Sequence, residues 1–180
     1  MNLFFLVVLL TVLLQRLLEL ELARRNAAYI RERGGYEVGA EHYKYIVALH
    51  GAFFVSLLAE VGWAQRPLAA HWYVPFAIFL LAQAGRYWCI SSLGRFWNTR
   101  IMILPAAPRV SRGPYRYLRH PNYLIVGVEL LTLPLTFSAY LTALVFTLGN
   151  LWLLLKVRIP QEEQGLAQLA KNRSPQSGDD

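Results

Sequence analysis

The chain has 180 residues, of which 56% are hydrophobic and only 16% charged, with mean hydropathy +0.33 and a formal net charge of +7. Soluble domains of this size carry about 25% charge, and here the apolar residues fall in long runs, so an ordinary soluble fold is excluded and an integral membrane protein is indicated. The positive excess then reads as topology and contact with anionic lipid, not as a nucleic-acid surface, which needs a basic face on a soluble fold.

Residues 2–22 form the first expected span, long enough for the ~30 Å hydrocarbon layer. Residues 1–14 resemble a signal-peptide core. The helical pattern runs on through Leu22 without an evident small-residue cleavage site, so the segment reads as a retained anchor. Arg16 and Glu19 stand at i,i+3 on one face. They are either an ion pair snorkelling at the interface or the lining of a polar cavity. Residues 21–44 make a basic polar loop, broken at Gly34-Gly35. Residues 43–63 form a second span containing His50, whose ordinary reading is a hydrogen-bonded packing residue. A turn around Pro67 leads to a third span, 72–93. Arg86 inside it has a stem long enough to snorkel, or a head that reaches an anionic group in a cleft. Cys89 is the single cysteine, which excludes an intrachain disulfide and a thiolate metal cluster.

A second polar loop, 94–119, holds Arg95, Arg100, Arg109, Arg112, Arg116 and Arg119 and no acid. The positive-inside rule accounts for the charge, but not for its interleaving with Trp97, Tyr115 and Tyr117. Residues 124–135 form an apolar helix carrying Glu129. A tight uncharged turn, 134–139, leads to a returning helix, 139–157, carrying Asn150. Arg158, Glu162 and Glu163 follow as the chain leaves the membrane. From 170 on, the polar composition predicts a disordered tail. The expected architecture is therefore an all-α integral membrane protein with about five transmembrane helices and a C-terminal helical hairpin. The basic loops put its N-terminus outside and its C-terminus and polar segments in the cytoplasm.

The densest chemistry lies at residues 112–123, Arg-Gly-Pro-Tyr-Arg-Tyr-Leu-Arg-His-Pro-Asn-Tyr. Pro121 fits the first turn of a helix and pushes His120 out of the α region. The result is a polar knot at a helix start, where free N–H groups and the helix dipole face an anion. If the last two helices form a hairpin, Tyr115, Arg119, His120 and Tyr123 meet Arg158, Glu162 and Glu163. That set offers cations, carboxylates and aromatic faces, which a zwitterionic, adenine-bearing cofactor requires. Spacings for a metal site, a dinucleotide loop or a nucleophile elbow are absent.

Gly113 through Tyr123, followed by a helical hairpin and Glu162-Glu163, resembles the isoprenylcysteine carboxyl methyltransferase family over residues 94–166. The resemblance implies a single membrane domain, 1–169, that binds S-adenosyl-L-methionine in a pocket of the hairpin and cytoplasmic segments. It implies a lipophilic small-molecule or prenylated substrate drawn from the bilayer lipids, and neither nucleic acid nor metal. Tyr115, Arg119, His120, Pro121, Tyr123, Glu162 and Glu163 would hold the cofactor. Arg119 and Arg158 would serve the cofactor or substrate carboxylate as the catalytic pair, with Arg86, Glu129 and Asn150 toward the substrate. Arg16, Glu19, Arg25-Asn26, Gly34-Gly35 and His42-Tyr43 resemble a bacterial subgroup associated with O-methylation of alkylpyrones or alkylresorcinols, which implies a bacterial inner membrane. The Arg-His-Pro-x-Tyr core also occurs in membrane sterol reductases. An NADPH-dependent reductase, a phospholipid N-methyltransferase and a non-catalytic scaffold therefore stand as alternatives.

Overall fold

A computed structural model describes residues 2–105, 107 and 110–173, with side chains to residue 169. Arg109 and residues 174–180 of the expected tail lie outside the described residues, whereas 170–173, expected to be disordered, continue the last helix. The first helix, α1 (Leu3–Arg31), is capped by Asn2, whose side chain accepts from the Phe4 N–H at 3.0 Å. At about 1.5 Å per residue its 29 residues extend about 43 Å, more than the bilayer core. Much of the expected polar loop 21–44 is therefore helix. Its residues are good helix formers, an i,i+4 pair between Arg25 and Glu21 (2.8 Å) supports them, and no breaker occurs before Gly34. There the chain turns, Gly34 taking φ +81° and the Gly35 N–H closing on the Ile30 carbonyl at 2.9 Å.

A short strand, β1 (Tyr36–Val38), follows. It pairs antiparallel with β2 (Ile101–Ile103), joining the two polar segments in a ribbon that the residue pattern did not announce. Helix α2 (Ala40–Leu58) continues through a π turn, Ala59–Trp63, and α3 (Tyr73–Leu93) ends in a 3₁₀ turn, Gly94–Phe96. Helix α4 (Pro121–Thr136) and α5 (Tyr140–Leu153) are the hairpin arms. A second π turn, Leu154–Arg158, joins α5 to α6 (Ile159–Arg173) without a break. Among the described residues, four segments are long and apolar enough to cross a membrane: Leu3–Arg31, Ala40–Trp63, Tyr73–Phe96 and Tyr140–Leu169. Helix α4, the short arm of the hairpin, is 16 residues long, or about 24 Å, and falls short of that length. This is the all-α membrane architecture expected, with one small ribbon added.

The ends of the bundle are chemically distinct. At one end, Phe4 packs its edge on Trp72 (5.4 Å between centroids) and lies 5.6 Å from Phe137. There Glu60 accepts from the Thr142 N–H and Oγ1, both at 2.8 Å, capping α5. Phe5, Phe53, Leu57, Phe79, Leu133 and Phe137 form the core beneath. The other end gathers the basic segments. Asn26 donates to the carbonyls of Trp97 (2.7 Å) and Gly94 (3.1 Å), and Asn98 to that of Ala23 (3.0 Å), tying α1 to the chain after α3.

Between the ends lies a buried charge network. Glu129 of α4 takes a bidentate contact from the Arg86 guanidinium of α3 and a second from Arg16 at 3.0 Å. Glu19 accepts from Arg16 (2.6 Å), Arg86 (3.3 Å) and Gln15 (3.0 Å). The Arg16–Glu19 pair thus faces protein, and the anionic groups that Arg86 reaches are Glu129 and Glu19. Two cations balance two anions, so the network clamps α1, α3 and α4 without net charge. Removing one member leaves a buried charge uncompensated, at a cost of about 3–5 kcal/mol. Glu129→Ala is therefore expected to unfold at markedly lower temperature in detergent, with Glu129→Gln between it and wild type. An unchanged melting temperature in Glu129→Ala would show that the network is dispensable.

Candidate functional site

The hairpin brings the two polar clusters together. Pro121 opens α4, and His120 before it sits at φ −131°, ψ 59°, outside the α region as the proline requires. One turn on, Tyr123 stacks on His120 with ring centroids 5.2 Å apart and planes 10° from parallel. The Tyr123 hydroxyl donates to Glu162 Oε2 at 2.5 Å and accepts from Arg158 Nε at 3.0 Å. Arg158 Nη2 donates to the Thr99 carbonyl at 2.7 Å. His120 Nδ1 lies 3.6 Å from the same Glu162 oxygen. Two residues on successive turns of the last helix thus grip one hydroxyl on the first arm. The π turn ending at Arg158 sets the phase in which both reach it. Arg158 Nη1 and Glu162 Oε1 have no partner among the described residues.

The Gly-Pro-Tyr element explains itself sterically. Gly113 has φ +58°, and a Cβ there would stand 2.0 Å from Ser92 Oγ. Only glycine lets the 3₁₀ turn Gly113–Arg116 lie against α3. The turn places Tyr115 beside Cys89, and burial, with the thiol adding to it, pushes the phenol well above its ordinary range. Arg112 anchors the same segment by donating from Nε to the Ser92 carbonyl at 2.6 Å.

A cavity of about 140 Å³ lies at this end, lined by Tyr115, Arg119, His120, Tyr123, Arg158 and Glu162, with Arg100 and β2 on its far side. Arg119 lines its exposed edge and lies 3.7 Å from Glu163, which does not line the cavity; the pair is exposed and contributes little energy. Pro121 is buried as the first residue of α4. A second cavity of about 490 Å³ runs down between α1, α2, α4 and α5. Its walls are mostly leucine, valine, isoleucine and phenylalanine, with Arg86, Glu129 and Asn150 deeper in. Five residues line both cavities: Trp97, Asn98, Asn122, Tyr123 and Arg158. The polar cleft and the apolar cavity therefore share a wall.

The sequence-predicted residues separate by place. Tyr115, His120, Tyr123, Arg158 and Glu162 converge on the cleft, Arg119 edges it, Glu163 lies outside its lining as the partner of Arg119, and Arg86 and Glu129 are spent on each other away from it. Thr99, Asn98 and Asn122 were missed as contributors. The Trp97–Arg100 stretch carried a signal in its mixture of aromatic, amide and cationic side chains. Thr99, however, serves through its backbone carbonyl, which no residue pattern announces.

A family model for isoprenylcysteine carboxyl methyltransferases matches residues 74–168, more than half of the chain. The chain belongs to the isoprenylcysteine carboxyl methyltransferase family. It is a membrane methyltransferase of that type. Among its relatives, the uncharacterized protein YpbQ of Bacillus subtilis is 39% identical over 87% of this chain and 92% of its own length. An uncharacterized protein of Haemophilus influenzae is 29% identical over 86% of this chain and 90% of its own. No solved structure matches the chain. The family match spans α3, the motif, the hairpin and most of α6, the parts that build the shared wall.

Because Gly113 has both a left-handed φ and no room for a Cβ, Gly113→Ala is expected to lift the turn from α3, at a cost of at least about 1–2 kcal/mol. Amide hydrogen exchange across residues 112–120 should then quicken while exchange in α2 and α5 stays as in wild type. Unaltered exchange in that segment would refute this role.

Proposed function

We propose that this family member uses S-adenosyl-L-methionine to methylate an oxygen of a lipophilic acceptor, either a prenylcysteine-type carboxylate or an alkylpyrone or alkylresorcinol hydroxyl. The observation that supports it is the wall common to a polar cleft and an apolar cavity. Such a wall lets a water-soluble donor and a bilayer-soluble acceptor approach each other from opposite sides.

The residues present fit that cofactor. Glu162 Oε1 is unspent and matches an ammonium. Arg119 at the rim and Arg158 in the wall match a carboxylate. The His120–Tyr123 stack and Tyr115 offer ring faces to an adenine. Trp97 Nε1 and Asn122 Oδ1 are buried without a partner, which suits a site completed by a polar ligand. When bound, the cofactor supplies an electrophilic methyl group on a sulfonium.

The chain's own work is then positioning and exclusion of water. The Tyr123 hydroxyl, held from both sides, keeps Arg158 and Glu162 in register. Arg158 Nη1 is free to hold the acceptor's oxyanion. A carboxylate is already ionised at neutral pH. For an enol or phenol, the adjacent guanidinium favours the ionised form. Of the two arginines, Arg158 is the better candidate for this task, because it is buried and fixed by Tyr123 and Thr99, whereas Arg119 is largely exposed. The apolar cavity would take the acceptor's tail. The basic ends of the helices favour placing the cleft at the cytoplasmic face of a bacterial inner membrane, with the N-terminus outside.

Two measurements test this. Calorimetric titration of the detergent-purified protein with S-adenosyl-L-methionine should show saturable binding, weakened about tenfold or more in His120→Ala and Glu162→Ala with unchanged melting behaviour. Absence of binding by wild type would end the proposal, and intact binding in both variants would move the site. Periplasmic and cytoplasmic reporters fused to the C-terminus should be silent and active respectively; the reverse pattern would invert the topology.

A further inference from the structure

The apolar cavity is not apolar throughout, and the exception has no part in the wall just described. His50 on α2 and Asn150 on α5 both line it. Their helices pack closely because Gly149 leaves no side chain between α5 and Leu49: a Cβ there would lie 3.2 Å from Leu49 Cδ1. That contact puts the next residue of each helix, His50 and Asn150, at one level on the same side of the cavity. The His50 ring donates from Nδ1 to the Ile46 carbonyl at 2.8 Å. A carbonyl only accepts, so in the neutral ring Nε2 presents a lone pair, and no protein group among the described residues donates to it. Asn150 is 4% exposed, yet its side-chain amide has no protein partner among the described residues. At membrane depth, where water is scarce, unspent polar groups are expensive and mark a place where something polar is received.

The spacing from the wall is consistent along three helices. Glu129 lies six residues from Tyr123, Asn150 eight from Arg158, and His50 seven from Tyr43, whose hydroxyl meets Thr99 Oγ1 beside the wall at 3.1 Å. At about 1.5 Å per residue these are depths of about 9–12 Å. The charge network does not compete for the ligand, because its carboxylates are filled by Arg16, Arg86 and Gln15. The pair left over is an acceptor on His50 and a donor with an acceptor on Asn150, the complement of a hydroxyl.

We infer that His50 and Asn150 form a second polar subsite that recognises a hydroxyl on the acceptor's tail, about 1 nm from the oxygen held at the Arg158 wall. This rests on the reading of the cavity as the acceptor site. It narrows the substrate class to amphiphiles with a second oxygen function partway along the tail. An unbroken hydrocarbon, such as a plain prenyl or alkyl chain, leaves both side chains unpaired and is discriminated against.

The test uses the full chain in lipid nanodiscs and two radiolabelled probes with the same carboxylate head, octadecanoic acid and 10-hydroxyoctadecanoic acid. The hydroxy acid carries its second oxygen at the matching distance from the head. Wild type is expected to bind it about tenfold more tightly than the plain acid. His50→Phe and Asn150→Leu should each erase that preference while binding the plain acid as well as wild type or better. His50→Gln, which restores an acceptor, should recover it in part. Equal binding of the two acids by wild type, binding of neither, or a preference that survives in both apolar variants would overturn the subsite. If one variant fails to fold, the wild-type preference and the other variant still decide. Titration of S-adenosyl-L-methionine on the same preparations separates this outcome from the broader proposal. Cofactor binding without a hydroxyl preference removes the subsite alone, whereas absence of cofactor binding removes the methyltransferase chemistry.

Discussion

The hydroxyl of Tyr123 stands between Arg158 Nε and Glu162 Oε2, at 3.0 and 2.5 Å, and the geometry of the cleft follows from that arrangement. Tyr123 belongs to one arm of the hairpin and the two charged groups to the other. The contact exists only because a short uncharged turn returns the chain to its starting level. In an apolar surrounding, a phenol that donates to a carboxylate and accepts from a guanidinium is a strong and directional link. It orients Arg158 toward the larger cavity and Glu162 toward the smaller one. It also holds Tyr123 flat against His120. Loosening any of the three would disturb the wall between the cavities as a whole.

The π turn at Leu154–Arg158 is the backbone counterpart of that link. A residue added to the helical register shifts the phase of everything after it. Here the shift falls immediately before the charged residues. The upstream helix can therefore keep its apolar face to lipid and core while the downstream one presents Glu162 to the cleft and lays Gly165 against β2 and β1. The ribbon of β1 and β2 in turn closes the cleft on the side opposite the hairpin, with Arg100 held between Glu37 (2.7 Å) and the Tyr43 ring.

The buried polar groups serve two separate purposes. Arg16, Glu19, Arg86 and Glu129 satisfy one another and join α1 to α3 and α4 in a region where hydrophobic packing gives little selectivity between helix and lipid. His50 Nε2 and the Asn150 amide have no partner among the described residues, and both side chains line the cavity. The same depth in the membrane thus holds a closed polar network with a mechanical task and an open one suited to a ligand. Partner counting distinguishes them where residue type does not.

Much was legible from the residues alone. Long apolar runs set the class, because the bilayer demands about 20 such residues per crossing. Pro121 and the uncharged stretch 134–139 marked the hairpin, although α4 runs on through Pro134 to Thr136 and the turn itself is only 137–139. The Gly-Pro-Tyr and Arg-His-Pro-x-Tyr signature with the downstream glutamates carried the family. Local sequence also set the end of α1 at Gly34-Gly35, but not the continuation of that helix beyond the membrane, because helix-forming charged residues read equally well as loop. Tertiary structure alone decided which charges are spent and which are free. Arg86 and Arg158 look alike as arginines in or near apolar helices, yet one is held by two glutamates and the other keeps a donor without a partner among the described residues. That difference depends on which side chains other helices bring within hydrogen-bonding reach, a property of packing across tens of residues that no local pattern encodes.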